Sequence, residues 1–423
     1  MIRKLKNNLI IKNITQLVTC SGFEAKKGKS MNDLNIINDG CVIIKNGIIE
    51  KVGKSKDILS HIDVSEYIVM DLTGKTMLPG FVDSHTHFIF GGYREDEFGM
   101  RLRGKSYMEI MEKGGGIIRS VNATKNASKE ELYEMGKKRL DEMLEFGITT
   151  VEGKSGYGLD HETEIKQLEV MKDLNSTHPI DIVSTFLGAH AVPSEYKNRE
   201  NEFIDFLIDE VLPEISKRNL AEFCDIFCEK NVFDLKQSEK MLKAGRKYNL
   251  KPKIHADEIY PLGGAGLAAD INAISADHLL NASDEDIKKM AKNNVIATLL
   301  PLTAFSLKEN YARARYMIDN NCAVALATDL NPGSCFSNSI PLMIAISSIY
   351  MKMTPEETIT ALTINGAAAL DRANIIGSID PGKKADFVIL KYPSYEFLTY
   401  NFGVNIVETV IKNGKIVFQK GEI

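Results

Sequence analysis

The stretch FVDSHTH at residues 81–87 places two histidines, His85 and His87, directly behind an apolar run that is typical of a β-strand. Alternate residues of a strand share one face, so both imidazoles can point at the same ion. A His-Thr-His at the surface end of a strand needs no metal, however, and this stretch alone leaves both interpretations open.

Two further strand-like runs contain residue types that bind metals at their ends. KIHADE at 253–258 carries a histidine, and VALATD at 324–329 ends in an aspartate. The predicted ligands are His85, His87, His255 and Asp329. Three nitrogens and one carboxylate suit Zn²⁺ or Fe²⁺ and leave room for water. The sequence therefore predicts a divalent metal site.

The composition is typical of a globular protein that acts on a small molecule. With 423 residues, 44% of them hydrophobic, the chain can bury a large core. A formal net charge of −5 provides no basic field for nucleic acid, and no apolar run approaches the ~20 residues of a membrane helix. The six cysteines are sparse and are expected to be reduced packing residues. We expect a cytoplasmic protein with a small-molecule substrate and with neither a nucleic-acid nor a membrane partner.

The chain divides into three parts by sequence pattern. Residues 1–77 and 375–423 consist of short β-branched runs separated by turn signals, and Asn46-Gly47 and Asn413-Gly414 each predict a hairpin. Between them, residues 78–374 alternate strand-like runs with helical stretches, which favours βαβ units and a parallel sheet. The clearest helical stretches are 129–146, 199–217, 235–249, 283–292 and 354–370.

These patterns predict an α/β fold in which a (β/α)8 barrel over residues 78–374 is flanked by a small β-sandwich that both termini build jointly. The barrel also accounts for the candidate site. In such barrels the functional residues lie at the carboxyl ends of different strands, which is where the four predicted ligands fall.

The ligand pattern resembles that of the amidohydrolase superfamily, which has a His-x-His after the first barrel strand, histidines after the fifth and sixth, and an aspartate after the eighth. The flanks LPGFVD at 78–83 and GSIDPGKKAD at 377–386 also resemble those of the superfamily, so the resemblance spans nearly the whole chain. It implies a hydrolase with one divalent metal per chain, either zinc or iron (Fe²⁺ or Fe³⁺), and a homodimeric assembly.

Several segments, in order, resemble one branch of this superfamily, the hydrolases that open 4-imidazolone-5-propanoate to N-formimidoyl-L-glutamate. They are FGGYRE at 90–95, GGGI at 114–117, EGKSGYGL at 152–159, TFLGAH at 185–190, SADH at 275–278 and ATDLNPGS at 327–334. This resemblance implies the same ring opening, which belongs to histidine degradation.

The resemblance assigns catalytic roles to Glu258, His278 and Asp329. A divalent ion would lower the pKa of water toward neutrality and so supply a nucleophile at pH 7. Glu258 lies three residues after His255, so a turn can bring its carboxylate over that water as general base and later as proton donor to the ring nitrogen. His278 would orient the water or polarise the lactam carbonyl. Without the resemblance, a solvated glutamate and a core histidine would look the same in sequence.

The implied substrate is a planar five-membered ring with a propionate, and a buried carboxylate needs cationic and hydroxyl donors. The resemblance places substrate contacts at Arg94, Tyr157, His190, Glu258, Asn331, Gly333 and Ser334. Most arginines and tyrosines are surface or core residues, and Asn-Pro-Gly-Ser is strong turn chemistry. These assignments therefore depend on the resemblance.

Three other functions remain open at this point. In cyclic-amide hydrolases such as dihydroorotase or hydantoinase a carboxylated lysine bridges two metals, and Lys154 together with His190 would allow this. Glu258 next to His255 instead matches the single-metal members. A nucleobase aminohydrolase uses the same ligand set, but its substrate has no carboxylate for Arg94 to bind. A non-catalytic scaffold of this fold would be expected to have lost ligands, whereas every ligand position here is filled.

Overall fold

Two β-sheets organise the structure, a computed structural model that describes residues 8–105, 109 and 115–421. Their strands, in chain order, are β1 (Asn8–Val18), β2 (Ile36–Lys45), β3 (Ile48–Lys54), β4 (Ile68–Asp71), β5 (Thr76–Pro79), β6 (Phe81–Asp83), β7 (Ile148–Lys154), β8 (Asp181–Ala189), β9 (Phe223–Cys228), β10 (Lys251–Ala256), β11 (Ser275–His278), β12 (Ile296–Leu299), β13 (Val324–Leu326), β14 (Phe387–Leu390), β15 (Val407–Lys412) and β16 (Lys415–Gln419). One sheet contains β6 to β13, and the other contains the strands that precede and follow them.

The strands β6 to β13 lie side by side in chain order, and each pairs in parallel with the next. Runs such as IATL in β12 and VAL in β13 are mostly apolar and buried on both faces, as expected for a strand covered on both sides. Hydrogen bonds just beyond β6 and β13 join the two ends of this sheet. The Asp329 N–H donates to the His85 carbonyl at 3.0 Å, and the His87 N–H donates to the Leu330 carbonyl at 2.9 Å. The sheet therefore closes into the predicted (β/α)8 barrel.

Among the described residues, helices connect the barrel strands, and the short helices at 55–59 and 397–400 lie between strands of the second sheet. The helices, in chain order, are α1 (Ser55–Leu59), α2 (Glu95–Leu102), α3 (Ile117–Asn126), α4 (Lys129–Glu145), α5 (His161–Thr177), α6 (Glu200–Phe206), α7 (Leu212–Arg218), α8 (Leu235–Lys247), α9 (Gly264–Asp270), α10 (Asp284–Lys292), α11 (Pro301–Leu307), α12 (Ala314–Asp319), α13 (Ile340–Ile349), α14 (Pro355–Leu362), α15 (Ile364–Ala369) and α16 (Phe397–Tyr400).

Three of the five predicted helical stretches correspond to the single helices α4, α8 and α10, and two are interrupted. The stretch 199–217 becomes α6, a π-helical turn at Leu207–Val211, and α7. Pro213 has no N–H to donate to the preceding turn, and a π-turn accommodates this loss. The stretch 354–370 breaks at Thr363, whose φ and ψ of −120° and −97° are not helical.

Both termini contribute to the second sheet, as predicted. Its order is β16-β15-β14-β5-β1-β2-β3, with β4 beside β1, so that β14 of the C-terminal part pairs with β5 of the N-terminal part. The hairpins β2–β3 and β15–β16 turn at the predicted Asn-Gly pairs. Asn46 and Asn413 have φ of +51° and +49°, a left-handed conformation that asparagine tolerates. A separate apolar core, which includes Ile11, Val42 and Phe387, stabilises this sheet.

The larger apolar core lies in the barrel and between its strands and helices. All six cysteines fall within the described residues, where each is buried and takes part in no disulfide. Among the helices that the structure describes, none is both long enough and apolar enough to cross a membrane.

Candidate functional site

The four predicted ligands meet at the carboxyl ends of the barrel strands. His85 and His87 follow β6, His255 is the penultimate residue of β10, and Asp329 lies three residues beyond β13. Nitrogens of the three histidines lie within 4.8 Å of one another, and a second group of this size joins His85, His278 and Asp329. All five side chains are buried. The fold thus brings together the residues that the sequence analysis selected from distant segments.

Buried nitrogens without hydrogen-bond partners mark the place that an ion would take. Among the described residues, His85 Nε2 and His255 Nε2 are buried and have no such partner, although buried polar atoms normally have one. Burial, reinforced by neighbouring positive groups, holds the pKa of His85, His87 and His278 well below the usual value. Neutral imidazoles keep a lone pair for a cation, so this donor set fits a divalent metal ion.

Two aspartates that the sequence analysis did not select contact the opposite side of these rings. Asp277 Oδ2 lies 2.6 Å from His85 Nδ1, and Asp225 Oδ2 lies 3.0 Å from His255 Nδ1. The hydrogen bond to Asp277 fixes the tautomer and orientation of His85 and leaves its Nε2 for a metal. Asp225 lies at ion-pair distance from His255 without forming a hydrogen bond to it. A signal for both was present in the sequence, because each is a charged residue inside the run of a buried strand and a buried charge needs a partner.

Lys154, the residue that a binuclear site would need, belongs with Asp225 and Asp277 to an outer layer of charged residues behind the histidines. Its Nζ donates to Asp225 Oδ2 at 2.7 Å and to Glu152 Oε1 at 3.1 Å. Burial disfavours the charged amine, but the Asp225 and Glu152 carboxylates outweigh burial and raise the pKa of Lys154 above its usual value. An amine must be neutral to become carboxylated, so this arrangement favours the single-metal alternative.

Glu258 and His278 lie opposite each other beside the candidate ligands, with 3.5 Å between Glu258 Oε1 and His278 Nδ1. Asp257 fixes the turn that follows β10 and carries Glu258, because its carboxylate accepts the Gly263 N–H at 2.7 Å where α9 begins. Burial, reinforced by the negative charge of Asp329, raises the pKa of Glu258 to about 8. A carboxyl group with a pKa near neutrality can both take up and return a proton at pH 7.

Two residues of the site have a left-handed backbone, which is uncommon for residues other than glycine. The φ of His278 is +75° and that of Asp329 is +53°. Such conformations cost on the order of 1–3 kcal/mol each and persist where the surroundings impose them, most often at active sites. The Thr303 hydroxyl holds the Asp329 carboxylate by donating to Oδ2 at 2.6 Å. Burial nevertheless raises the pKa of Asp329 to about 6.

Tyr157 and His190 pack against His87. The His190 ring is stacked on His87 with 5.0 Å between centroids, and the Tyr157 ring meets His87 edge-on at 5.8 Å. Burial, with His255 nearby, lowers the pKa of His190 to about 4. His190 Nδ1 lies 3.0 Å from the Gly156 carbonyl, so that nitrogen carries the proton of the neutral ring.

The remaining predicted substrate residues border a cavity of about 480 Å³ that Arg94, Gly333 and Ser334 help to line. The Asn331 side chain organises the loop after Asp329. Its Oδ1 accepts the Gly333 and Ser334 N–H groups at 2.9 and 2.8 Å, and its Nδ2 donates to the Asp329 carbonyl at 2.7 Å. Gly114 of the GGGI segment lies outside the described residues.

Comparison with known proteins identifies relatives of this chain. Residues 240–417 match the model of the amidohydrolase family, and residues 68–113 match a second model of the same description. The imidazolonepropionase of Clostridium tetani is 60% identical over 415 residues, which cover 98% of this chain and 99% of that protein. The imidazolonepropionase of Parabacteroides distasonis is 58% identical, with coverage of 97% and 99%.

Solved structures share the fold at low sequence identity. The atrazine chlorohydrolase of Arthrobacter aurescens TC1, complexed with zinc, has a TM-score of 0.72 and 15% identity, with coverage of 97% of this chain and 95% of that chain. The guanine deaminase of E. coli also has a TM-score of 0.72, with 14% identity and coverage of 98% and 99%. At these identities the similarity establishes the fold, with its barrel and second sheet, and nothing about the substrate.

Proposed function

The chain belongs to the imidazolonepropionase family of amidohydrolases, and on this basis we propose that it hydrolyses 4-imidazolone-5-propanoate to N-formimidoyl-L-glutamate in the degradation of histidine. The observation that carries the proposal is a buried set of histidines and carboxylates whose Asp329 leads directly, through the loop held by Asn331, to a cavity with the Arg94 guanidinium at its wall. The histidines and carboxylates suit the opening of a cyclic amide, and the guanidinium suits a substrate with a carboxylate.

We extend the proposal to one divalent ion per chain, zinc or iron. The ligands would be His85, His87, His255 and Asp329. When bound, this ion supplies a Lewis acid that lowers the pKa of water and polarises the ring carbonyl. The unpartnered histidine nitrogens support the ion, and the pairing of Lys154 with two carboxylates supports a single one.

Glu258 moves the protons of the reaction. The water oxygen forms a bond to the ring carbonyl carbon, the C–N bond of the cyclic amide breaks, and the departing nitrogen needs a proton. Glu258 takes the proton from the attacking water and returns it to that nitrogen, which its raised pKa permits. His278, 3.5 Å from Glu258, orients the water and the carbonyl oxygen.

The proposed substrate contacts fall into two groups, one for the ring of the substrate and one for its propionate. Tyr157 and His190 hold the ring, because both lie beside His87. Arg94 binds the propionate, for which a guanidinium offers the matching pair of donors. Asn331, Gly333 and Ser334 form the loop between these two ends and contribute polar contacts to substrate and product.

The test is the loss of imidazolonepropionate absorbance on addition of the purified protein, with the metal content per chain measured on the same sample. A Glu258→Gln variant should lose about 10²- to 10⁴-fold in kcat, because proton transfer by a side chain contributes about that much. Glu285→Gln, which removes an exposed carboxylate in α10, is the control and should keep full activity.

No turnover by a metal-loaded wild type would reject the substrate assignment and direct the search to hydantoins and nucleobases. Two metals per chain would instead revive Lys154 as a bridging ligand. The expected homodimer is checked on the same preparation by light scattering after size-exclusion chromatography.

A further inference from the structure

One face of helix α2 lies along the cavity that Arg94 borders. Arg94 is the residue before the helix, Glu97 follows one turn later and Arg101 follows after another turn. Residues at this spacing lie on the same side of a helix. Arg94 and Arg101 both line the cavity, together with apolar side chains such as Phe98.

Glu97 holds one edge of the Arg94 guanidinium. Its Oε2 accepts from Arg94 Nε at 2.9 Å, lies 2.8 Å from Arg94 Nη2, and accepts the Gly116 N–H at 3.1 Å. Glu97 is 4% exposed, so this charge pair is shielded from water. Among the described residues, Arg94 Nη1 makes no hydrogen bond. The guanidinium is therefore fixed at one edge and open at the other.

Gly333 lies next to the open edge. A Cβ added at Gly333 would come within 2.3 Å of Arg94 Nη1, so any side chain there would displace the guanidinium. Arg101 Nη2 donates to the Gly333 carbonyl at 3.1 Å and holds this loop against the helix. The same face of α2 thus fixes Arg94 and the loop that faces it.

The balance of charge at this wall favours an anion. Arg94, Arg101 and the neighbouring Arg119 supply three positive charges, and Glu97 and Asp96 neutralise two of them. Glu95 also lines the cavity, but its side chain is exposed, where solvent screens its charge. An uncompensated guanidinium in a partly apolar cavity gains from pairing with a carboxylate.

We propose that Glu97 is the positioning residue that presents the open edge of Arg94 to the carboxylate of the substrate, and that it thereby selects substrates with this group. The inference rests on the proposed function for the identity of the substrate. The role of Glu97 in holding Arg94 does not depend on turnover, so it is measurable by binding alone.

The binding test compares imidazole-4-propanoate with its uncharged amide, imidazole-4-propanamide, by calorimetry on the metal-loaded protein. Glu97→Gln keeps the shape of the side chain and removes its charge. We expect its Kd for the propanoate to rise at least about tenfold, the size of effect that follows from loss of a charge-assisted hydrogen bond. The Kd for the propanamide should not change. In turnover, KM for imidazolonepropionate should rise while kcat stays within about twofold, as expected for a contact equal in ground and transition states.

Asp96→Asn is the matched control. Asp96 belongs to the same first turn of α2, is exposed and pairs with Arg119 at 2.7 Å. Arg119 Nη1 also lies 3.5 Å from Glu97 Oε1, but the oxygen that holds Arg94 is Glu97 Oε2, which the control leaves in place. The control therefore loses the same charge at the same helix end and should leave both affinities unchanged. If Glu97→Gln fails to fold, Gly333→Ala tests the same arrangement from the other side and should weaken binding of the propanoate more than binding of the propanamide.

The inference is wrong if Glu97→Gln binds the propanoate as tightly as Asp96→Asn does, or if both ligands weaken equally. It is also wrong if the wild type does not prefer the propanoate to the propanamide. Failure of the wild type to hydrolyse imidazolonepropionate, with that preference intact, would count against the proposed function and not against the role of Glu97.

Discussion

His85 has a carboxylate near each of its ring nitrogens. Asp277 Oδ2 is 2.6 Å from Nδ1, and Asp329 Oδ1 is 3.6 Å from Nε2. The first contact orients the ring, and the longer distance on the second leaves the Nε2 side available to an ion. Asp277 is therefore the residue whose removal tests whether the outer layer matters for metal binding.

Asp277→Asn should lower metal affinity about 10- to 100-fold, because outer partners of ligating histidines contribute about that much. Metal content after dialysis against a graded series of chelator concentrations measures this. Asp386→Asn is the control, since Asp386 is a buried carboxylate paired with Lys412 at 2.7 Å in the second sheet. Equal metal loss in both variants would show that Asp277 acts through general stability.

The proximity of the four proposed ligands was predictable because each one ends a strand-like run, and barrel topology gathers strand ends. Their outer partners were not, because the pairing of Asp225 with His255 depends on how β9 lies against β10. The alignment of neighbouring strands is set by packing across the whole barrel, which a local pattern does not record. Glu97 was missed for a related reason, since its contact to Arg94 looks in sequence like an ordinary acidic first turn of a helix.

At the scale of elements, one aspartate secures the closure of the barrel. Asp83, the last residue of β6, accepts the Thr328 N–H at 2.9 Å and the Thr328 hydroxyl at 2.6 Å. These bonds hold the segment after β13, which leads to Asp329, against the segment that leads to His85.

Asp83→Ala should destabilise the protein by about 2 kcal/mol or more, because two buried donors of Thr328 lose their acceptor. It should also lower metal content, since closure aligns the proposed ligands that follow the first barrel strand with the one that follows the last. Denaturant unfolding and metal analysis measure the two effects. Asp71→Ala is the control, because Asp71 accepts the same pair of groups from Thr73 at an exposed position. A wild-type unfolding midpoint for Asp83→Ala would contradict this role.

Element boundaries were less predictable than element types. The stretches 199–217 and 354–370 have helical periodicity throughout, yet the chain interrupts both. Periodicity records which residues face the core, and a π-turn or a single non-helical residue changes that pattern too little to be seen.

At the scale of the whole molecule, Asp181 connects the barrel to the second sheet. It is the first residue of β8, and its Oδ2 lies 2.8 Å from both Lys384 Nζ and Lys412 Nζ. Burial acts in the opposite direction, but the two ammonium groups lower the pKa of Asp181 below its usual value. The joint β-domain was predictable from the similar patterns of the two termini, whereas this contact depends on how two sheets pack.

Asp181→Asn should lower the melting temperature at pH 7 by a few degrees at most, because Asp181 is one-third exposed and solvent screens the pairs to about 1 kcal/mol or less. Since the folded pKa is below the unfolded one, this stabilisation is fully present above about pH 4 and is lost as pH falls through the folded pKa. Melting curves of both proteins from pH 3 to 8 test this. A difference that stays constant down to pH 3 would contradict the ionic origin.

The hydrogen bonds between Asp329 and His85 and between His87 and Leu330 have a consequence for biosynthesis. A ribosome makes His85 and His87 some 240 residues before the closing Asp329. A nascent chain that stops before residue 329 has the histidines of the site but no backbone partner to hold the first two in place. Tight metal binding at the proposed site would therefore require a finished barrel.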